Sequence, residues 1–168
     1  FAPDAARRLL EVARDAGLSV RLHADELHES GAAELAAEIG ATSADHLAAV
    51  GEAGIEALGR AADAGRPVVA TLLPATTLYL LGDRFAPARR LIERGVPVAI
   101  GTDFNPGTSP TPNLPLILTL GVSQLRMSVA AVMVATVATH ERLFSICPEC
   151  RHAELVSASI PECSRHGP

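Results

Sequence analysis

The chain has 168 residues, of which 48% are hydrophobic and 3% aromatic, a composition that suits one α/β domain with an aliphatic core. Its formal net charge of −5, without any run of Lys and Arg, argues against a nucleic-acid surface or a polybasic membrane patch, so a small molecule is the expected partner. Pro74 interrupts the apolar stretch 68–81, and the stretch 114–122 is shorter than the roughly 20 residues of a membrane span, so no membrane helix is expected.

Helical and strand-like patterns alternate along most of the chain. Residues 2–16 have helical spacing and end at Gly17, the apolar run 18–23 predicts a strand, and 31–39 is again helical. Further strands are predicted at 43–46, 67–73 and 96–102, and further helices at 52–64, 86–94, 116–125 and 129–143. The strand ends recur at intervals of about 23 to 30 residues, which successive βα units of a parallel sheet require.

Four βα units form either an open four-stranded sheet or half of an eight-stranded barrel. An isolated open sheet leaves two unpaired apolar edges, which favour aggregation. We therefore predict an α/β fold that is the second half of a (β/α)8 barrel, with four parallel βα units within residues 1–143.

The composition changes in the tail, residues 144–168. Pro-Glu-Cys-Arg-His at 148–152 returns as Pro-Glu-Cys-Ser-Arg-His at 161–166, without apolar periodicity between them. The spacing Cys147-x2-Cys150 with Cys163-x2-His166 suits structural zinc, but read-through of repetitive DNA explains the repeat without metal, and we predict a disordered tail unrelated to the barrel. Because no cysteine precedes this tail, no disulfide framework crosses the main body, and a cytoplasmic setting is expected.

Polar residues suited to metal chemistry lie near the carboxyl ends of the predicted strands. They are His23, Glu26, His46 and Asp103, and in a parallel barrel this face carries the active site. A hydrolytic Zn²⁺ or Fe²⁺ ion needs neutral imidazole and carboxylate ligands, which His23 and Asp103 supply, and an open position for a water whose pKa it lowers. His46 can polarise a substrate carbonyl and Glu26 can bind a ring N–H, so the residues indicate hydrolysis of a C–N bond.

Four sequence strings carry a more specific resemblance. In order and spacing, His23-Ala-Asp-Glu26, Ser43-Ala-Asp-His46, Leu72-Leu-Pro74 with Tyr79, and Thr-Asp-Phe-Asn-Pro-Gly-Thr-Ser at 102–109 resemble imidazolonepropionase, a member of the amidohydrolase superfamily. The resemblance covers residues from about 1 to 140 and indicates the carboxy-terminal part of such an enzyme.

This resemblance implies a metal-dependent hydrolase of histidine degradation, which converts 4-imidazolone-5-propanoate to N-formimidoyl-L-glutamate with one zinc or iron ion. It implies a cytoplasmic enzyme and a homodimer in the complete protein. The roles it implies are metal ligands His23 and Asp103, catalytic residues His46, Asp103 and Glu26, and substrate-binding residues Glu26, Asn105, Gly107 and Thr108.

The sequence departs from the family in one respect that affects activity. The His-x-His pair that supplies two further metal ligands has no counterpart among the 168 residues. We therefore expect the complete site to need an amino-terminal half and the 168 residues to be inactive alone. Two alternatives stay open, namely another amidohydrolase such as a nucleobase deaminase, and a non-catalytic truncated product.

Overall fold

The computed structural model describes residues 3–137, in which helices and strands alternate along the sequence. The strands are β1 Arg21–Ala24, β2 Ser43–His46, β3 Val69–Leu72 and β4 Val98–Ile100. The helices are α1 Pro3–Asp15, α2 Ala32–Ile39, α3 Glu52–Asp63, α4 Pro74–Tyr79, α5 Ala88–Glu93, α6 Leu114–Ser123 and α7 Val129–Thr136. The predictions for the tail, its cysteines and the end of the helix 129–143 lie outside the described residues.

The four strands form one parallel sheet in the order β1-β2-β3-β4. Each strand is joined to the next by a connection that contains at least one helix, as parallel pairing requires. The predicted α/β fold with four parallel βα units is thus confirmed. Because the strands run in the same direction, their carboxyl ends lie at one edge of the sheet.

The two faces of the sheet differ because side chains alternate along each strand. Ala44, Ala70 and Ile100 belong to the main core, together with helix residues such as Leu58 and Ile117. Val69 and Ala99, which alternate with them, form a separate small cluster. The main core therefore lies between the helices and one face of the sheet, and its large side chains are aliphatic, as expected from composition.

The elements differ from the predictions mainly at their boundaries. β2 has the predicted bounds, whereas β1, β3 and β4 are shorter than predicted. Pro74 begins α4, a helix that was not predicted, instead of only ending β3. Proline suits the first turn of a helix because the N–H that it lacks has no partner there. Among residues 3–137 no helix is long and apolar enough to cross a membrane.

Candidate active site

Three of the predicted site residues converge at the carboxyl edge of the sheet. His23 lies in β1, His46 is the last residue of β2, and Glu26 follows β1 in the loop that leads to α2. Nε2 of His46 lies 2.8 Å from Nδ1 of His23, and Nδ1 of His46 lies 3.8 Å from a carboxylate oxygen of Glu26. His46 thus stands between the other two side chains.

These three side chains could share a metal ion. One ligand atom from each of His23, Glu26 and His46 lies within 4.8 Å of the others. Two imidazole nitrogens and a carboxylate oxygen form a donor set that suits zinc and iron. The sequence predicted His46 as a catalytic residue, and its position makes it a candidate ligand as well.

Burial determines the charge of the central imidazole. His46 is 5% exposed, and this burial lowers its pKa from the ordinary value. Glu26 acts in the opposite direction through its negative charge, His23 adds to the lowering, and Asp103 lies close enough to raise the pKa slightly. His46 is therefore neutral near pH 7, the form that can bind a metal or donate one N–H to a substrate.

The backbone at this edge has an unusual conformation. Asp25, His46 and Asp103 have φ angles of 46°, 74° and 50°, in the left-handed region that residues other than glycine rarely adopt. Such a conformation costs about 1–3 kcal/mol per residue and persists where surrounding contacts fix it. All three residues follow or end a strand, so the strained backbone lies where the candidate site is.

Asp25 provides one of these contacts. Its side chain is 3% exposed, and its carboxylate accepts hydrogen bonds from the N–H and hydroxyl of Ser30, at 2.7 and 2.8 Å, and from the N–H of Ala33 at 3.1 Å. These bonds close the loop that carries Glu26 onto the start of α2. Sequence reasoning missed this role because Asp25 lies several residues before the helix and does not resemble an ordinary N-cap.

Asp103 lies outside the group formed by His23, Glu26 and His46. It follows β4, and its Oδ2 accepts a hydrogen bond of 2.6 Å from the hydroxyl of Thr76 in α4. Thr76 is 1% exposed, and the sequence did not reveal it because α4 was not predicted. The signal that could have found it is Pro74, which favours the first turn of a helix.

The residues predicted to bind substrate form a compact turn beside Asp103. The side-chain amide of Asn105 donates to the backbone oxygen of Asp103 at 2.7 Å. Its oxygen accepts from the N–H groups of Gly107 and Thr108, at 2.9 and 2.8 Å. In this conformation Asn105, Gly107 and Thr108 form hydrogen bonds with one another, and their contact with a substrate stays a prediction.

A cavity of about 360 Å³ adjoins the site. Its wall includes Glu26 and Thr76, and it extends to charged side chains that include Glu29 and Arg84. Glu26 therefore contacts both the cavity and His46, and Thr76 contacts both the cavity and Asp103. A small molecule in this cavity would lie next to Glu26, which the sequence predicted, and next to Thr76.

The chain is similar to imidazolonepropionases from several bacteria, although no family model matches it. It is 50% identical over 135 residues to those of Anaeromyxobacter dehalogenans 2CP-C and Geobacillus kaustophilus HTA426, which covers 80% of this chain and 31% and 30% of the relatives. It is 44% identical over 128 residues to that of Fusobacterium nucleatum, covering 76% of this chain and 30% of the relative. The chain thus spans about a third of the length of these relatives.

One solved structure shares the fold. It is the crystal structure of an adenosine deaminase from Xanthomonas campestris with bound zinc, with a TM-score of 0.63 and 21% sequence identity over 86% of this chain and 36% of that chain. At this identity the comparison supports the fold alone.

The resemblance to imidazolonepropionase indicated by the sequence motifs is confirmed by the relatives, which are 44–50% identical to most of this chain.

Proposed function

We propose that the chain forms part of an imidazolonepropionase, which hydrolyses 4-imidazolone-5-propanoate to N-formimidoyl-L-glutamate in histidine degradation. The observation that carries this proposal is the convergence of His23 and Glu26 from one motif with His46 from another, at one edge of the sheet. The 50% identity to imidazolonepropionases supports the choice of reaction. Because the chain spans a third of those relatives, the complete site would draw further metal ligands from sequence outside these residues. The proposal includes a cytoplasmic location and a homodimer.

The proposed cofactor is one zinc or iron ion, held by His23 and Asp103, with His46 and Glu26 beside it. The imidazole of His23 and the carboxylate of Asp103 are donors that suit either ion, and His23 also belongs to the group of His23, Glu26 and His46 that could share a metal ion. When bound, the ion supplies a Lewis acid that polarises the ring carbonyl and lowers the pKa of the attacking water.

The protein side chains would divide the remaining work. Asp103 takes a proton from the attacking water, neutral His46 donates a hydrogen bond to the carbonyl oxygen, and Glu26 accepts one from a ring N–H. The water oxygen bonds to the carbonyl carbon, the C–N bond breaks, and the released nitrogen takes up the proton. The product then carries a new carboxylate and a formimidoyl group. Asn105, Gly107 and Thr108 would bind the substrate after their turn opens.

A second candidate is a nucleobase deaminase. The sequence left it open, and the chain shares its fold with a zinc-containing adenosine deaminase over 86% of its length, although a shared fold does not select the reaction. Its 21% identity is far below the 44–50% identity to imidazolonepropionases, which favours the first candidate. Adenosine and cytosine turnover, measured beside imidazolone turnover, separates the two.

The test uses a hybrid enzyme in which this chain replaces the matching third of the Geobacillus kaustophilus imidazolonepropionase. We expect the hybrid to form N-formimidoyl-L-glutamate, as measured by mass spectrometry. A folded hybrid without turnover would contradict the proposal and favour the non-catalytic alternative.

Two variants of the hybrid test the assigned roles. Asp103→Asn should lower kcat by about 10²- to 10⁴-fold because an amide accepts a proton poorly. His46→Ala should lower kcat by about 10²- to 10³-fold through loss of one donor to the developing oxyanion, with the metal content largely kept. Elemental analysis of both variants checks the second point. Near-normal rates in Asp103→Asn, or loss of metal in His46→Ala, would show that the roles are assigned wrongly.

A further inference from the structure

Thr76 forms a hydrogen bond that other hydroxyl groups in the described helices do not form. The hydroxyls of Thr119, Ser123 and Thr136 donate to the backbone oxygen four residues earlier, at 3.0, 2.8 and 2.8 Å. This is the ordinary local bond of Ser and Thr within a helix. Thr76 instead donates over 27 residues to Oδ2 of Asp103, at 2.6 Å.

The position of Thr76 in the fold explains this difference. The backbone oxygen four residues before it belongs to Leu72, which lies in β3 and not in α4, and this oxygen accepts the N–H of Gly101 in the pairing of β3 with β4. Thr76 is also the third residue of α4, and with 1% exposure its hydroxyl has almost no access to water. The carboxylate of Asp103 is therefore the acceptor that this hydroxyl uses.

Asp103 is thereby held at two points. Asn105 fixes its backbone oxygen, in a backbone conformation with φ of 50°. Thr76 fixes Oδ2 of its side chain, which leaves Oδ1 available for another partner. Without the bond from Thr76, the carboxylate of Asp103 would be free to turn about χ1 and χ2, since Asp103 itself is only partly buried.

We propose that Thr76 is a positioning residue, which orients the carboxylate of Asp103 so that Oδ1 faces the reacting group. The proposal rests on the proposed function for its kinetic consequences, but the orientation of Asp103 does not depend on that function. Residues that orient a ligand or a catalytic carboxylate typically contribute about 10- to 100-fold to activity or metal affinity.

The first experiment measures the orientation directly in the complete 168-residue chain. Three-bond Hα–Hβ couplings from NMR report whether Asp103 occupies one χ1 rotamer. We expect one rotamer in the wild type and in Thr76→Ser, which keeps the donor, and averaged couplings in Thr76→Val, which has nearly the same shape without it. Thr119→Val is the matched control, because Thr119 is an exposed threonine whose hydroxyl bonds within its own helix.

The second experiment measures kcat and KM for the same variants in the hybrid enzyme. Thr76→Val should lower kcat by about 10- to 100-fold with little change in KM, Thr76→Ser should restore most of it, and Thr119→Val should match the wild type. A structural role alone would not produce rescue by serine with an unchanged KM.

The outcomes separate the two proposals. Inactivity of the unmodified hybrid would refute the proposed function, and the NMR couplings would then decide the role of Thr76 alone. A single Asp103 rotamer in Thr76→Val, or wild-type kcat in that variant of an active hybrid, would overturn the assignment of Thr76. Averaged couplings together with a serine-rescued loss of kcat support it.

Discussion

Asp25 shows how a single buried carboxylate can shape a site without taking part in its chemistry. It accepts two hydrogen bonds from Ser30 and one each from the N–H groups of Ala32 and Ala33. Its neighbour Glu26 extends toward His46. The loop therefore has little freedom to move Glu26 away from the imidazole. Its own φ of 46° is kept because these bonds hold it.

Replacement of Asp25 tests this role through stability. Asp25→Ala leaves three backbone N–H groups and one hydroxyl without their acceptor, so the free energy of unfolding of the 168-residue chain should fall by about 1–3 kcal/mol. Asp25→Asn keeps one acceptor oxygen and should lose less. Urea denaturation measures both values.

Asp15→Ala is the control for these variants, because its side chain is 72% exposed and its removal should change the free energy of unfolding by less than about 0.5 kcal/mol. Equal stability of Asp25→Ala and Asp15→Ala would mean that the bonds of Asp25 are not needed to hold the loop.

The residues of the site illustrate what can be predicted from sequence alone. His23, Glu26 and His46 were predictable because parallel strands must end at one edge of a sheet, and the pairing of His23 with Asp45 in register confirms that alignment. Thr76 was not predictable, since its role depends on a hydrogen bond over 27 residues that no local pattern records.

At the scale of elements, the close packing of α2 on α3 depends on a glycine. A Cβ atom on Gly54 would lie 2.7 Å from a methyl carbon of Val50 and 2.9 Å from the Cβ of Ala33 in α2. The Cβ of Ala33 is fixed to the backbone and cannot turn away. Gly59 in the same helix differs, because its Cβ would meet only side-chain atoms of Arg94, from Cγ outward, which can turn away by rotation about χ1 at the loss of ion pairs with Glu56 and Asp63.

These two glycines form a matched pair of substitutions. Gly54→Ala should lower the free energy of unfolding by about 1–3 kcal/mol, because α2 and α3 must move apart. Gly59→Ala should cost less, since Arg94 can swing aside and alanine favours a helix by about 1 kcal/mol over glycine. Thermal or urea unfolding of both variants gives the comparison. If Gly59→Ala proved the more destabilising, close contact between α2 and α3 would not be the limiting feature.

The elements also show why boundaries were harder to predict than types. The strands were recognised from apolar runs, but a run extends into the adjoining loop where that loop is buried, as Val68 with 0% exposure before β3 shows. Pro74 marked the end of β3 correctly. The same residue begins α4. Only the three-dimensional path of the chain shows whether a proline that follows a strand leads into a loop or into a helix.

At the scale of the molecule, the second face of the sheet carries polar atoms that lack partners within the described residues. The hydroxyls of Ser43 and Thr71 and one carboxylate oxygen of Asp45 are buried without a hydrogen bond there. Asp45 and Thr71 are aligned in register, and His23 lies beside Asp45. Buried polar atoms without partners are costly, so this face fits the interior of a larger barrel better than the outer surface of an isolated sheet.

Metal removal tests whether these 168 residues form a complete site. The aliphatic core lies between the helices and the sheet, whereas the candidate ligands His23, Glu26 and His46 lie at the edge of the sheet. Two imidazoles, one of them exposed, and one partly exposed carboxylate bind metal weakly. A ligand stabilises a fold only as far as its free concentration exceeds its Kd.

We therefore expect the purified chain to contain less than one equivalent of zinc or iron. EDTA should shift its unfolding midpoint by less than about 2 °C, because 1 kcal/mol of binding would shift that midpoint by about 2–8 °C. Elemental analysis and calorimetry before and after EDTA provide both values. The variant Cys147→Ser/Cys150→Ser distinguishes metal held by the tail from metal at His23. One equivalent of metal that survives in this variant and is lost in His23→Ala would show that the chain completes the site by itself.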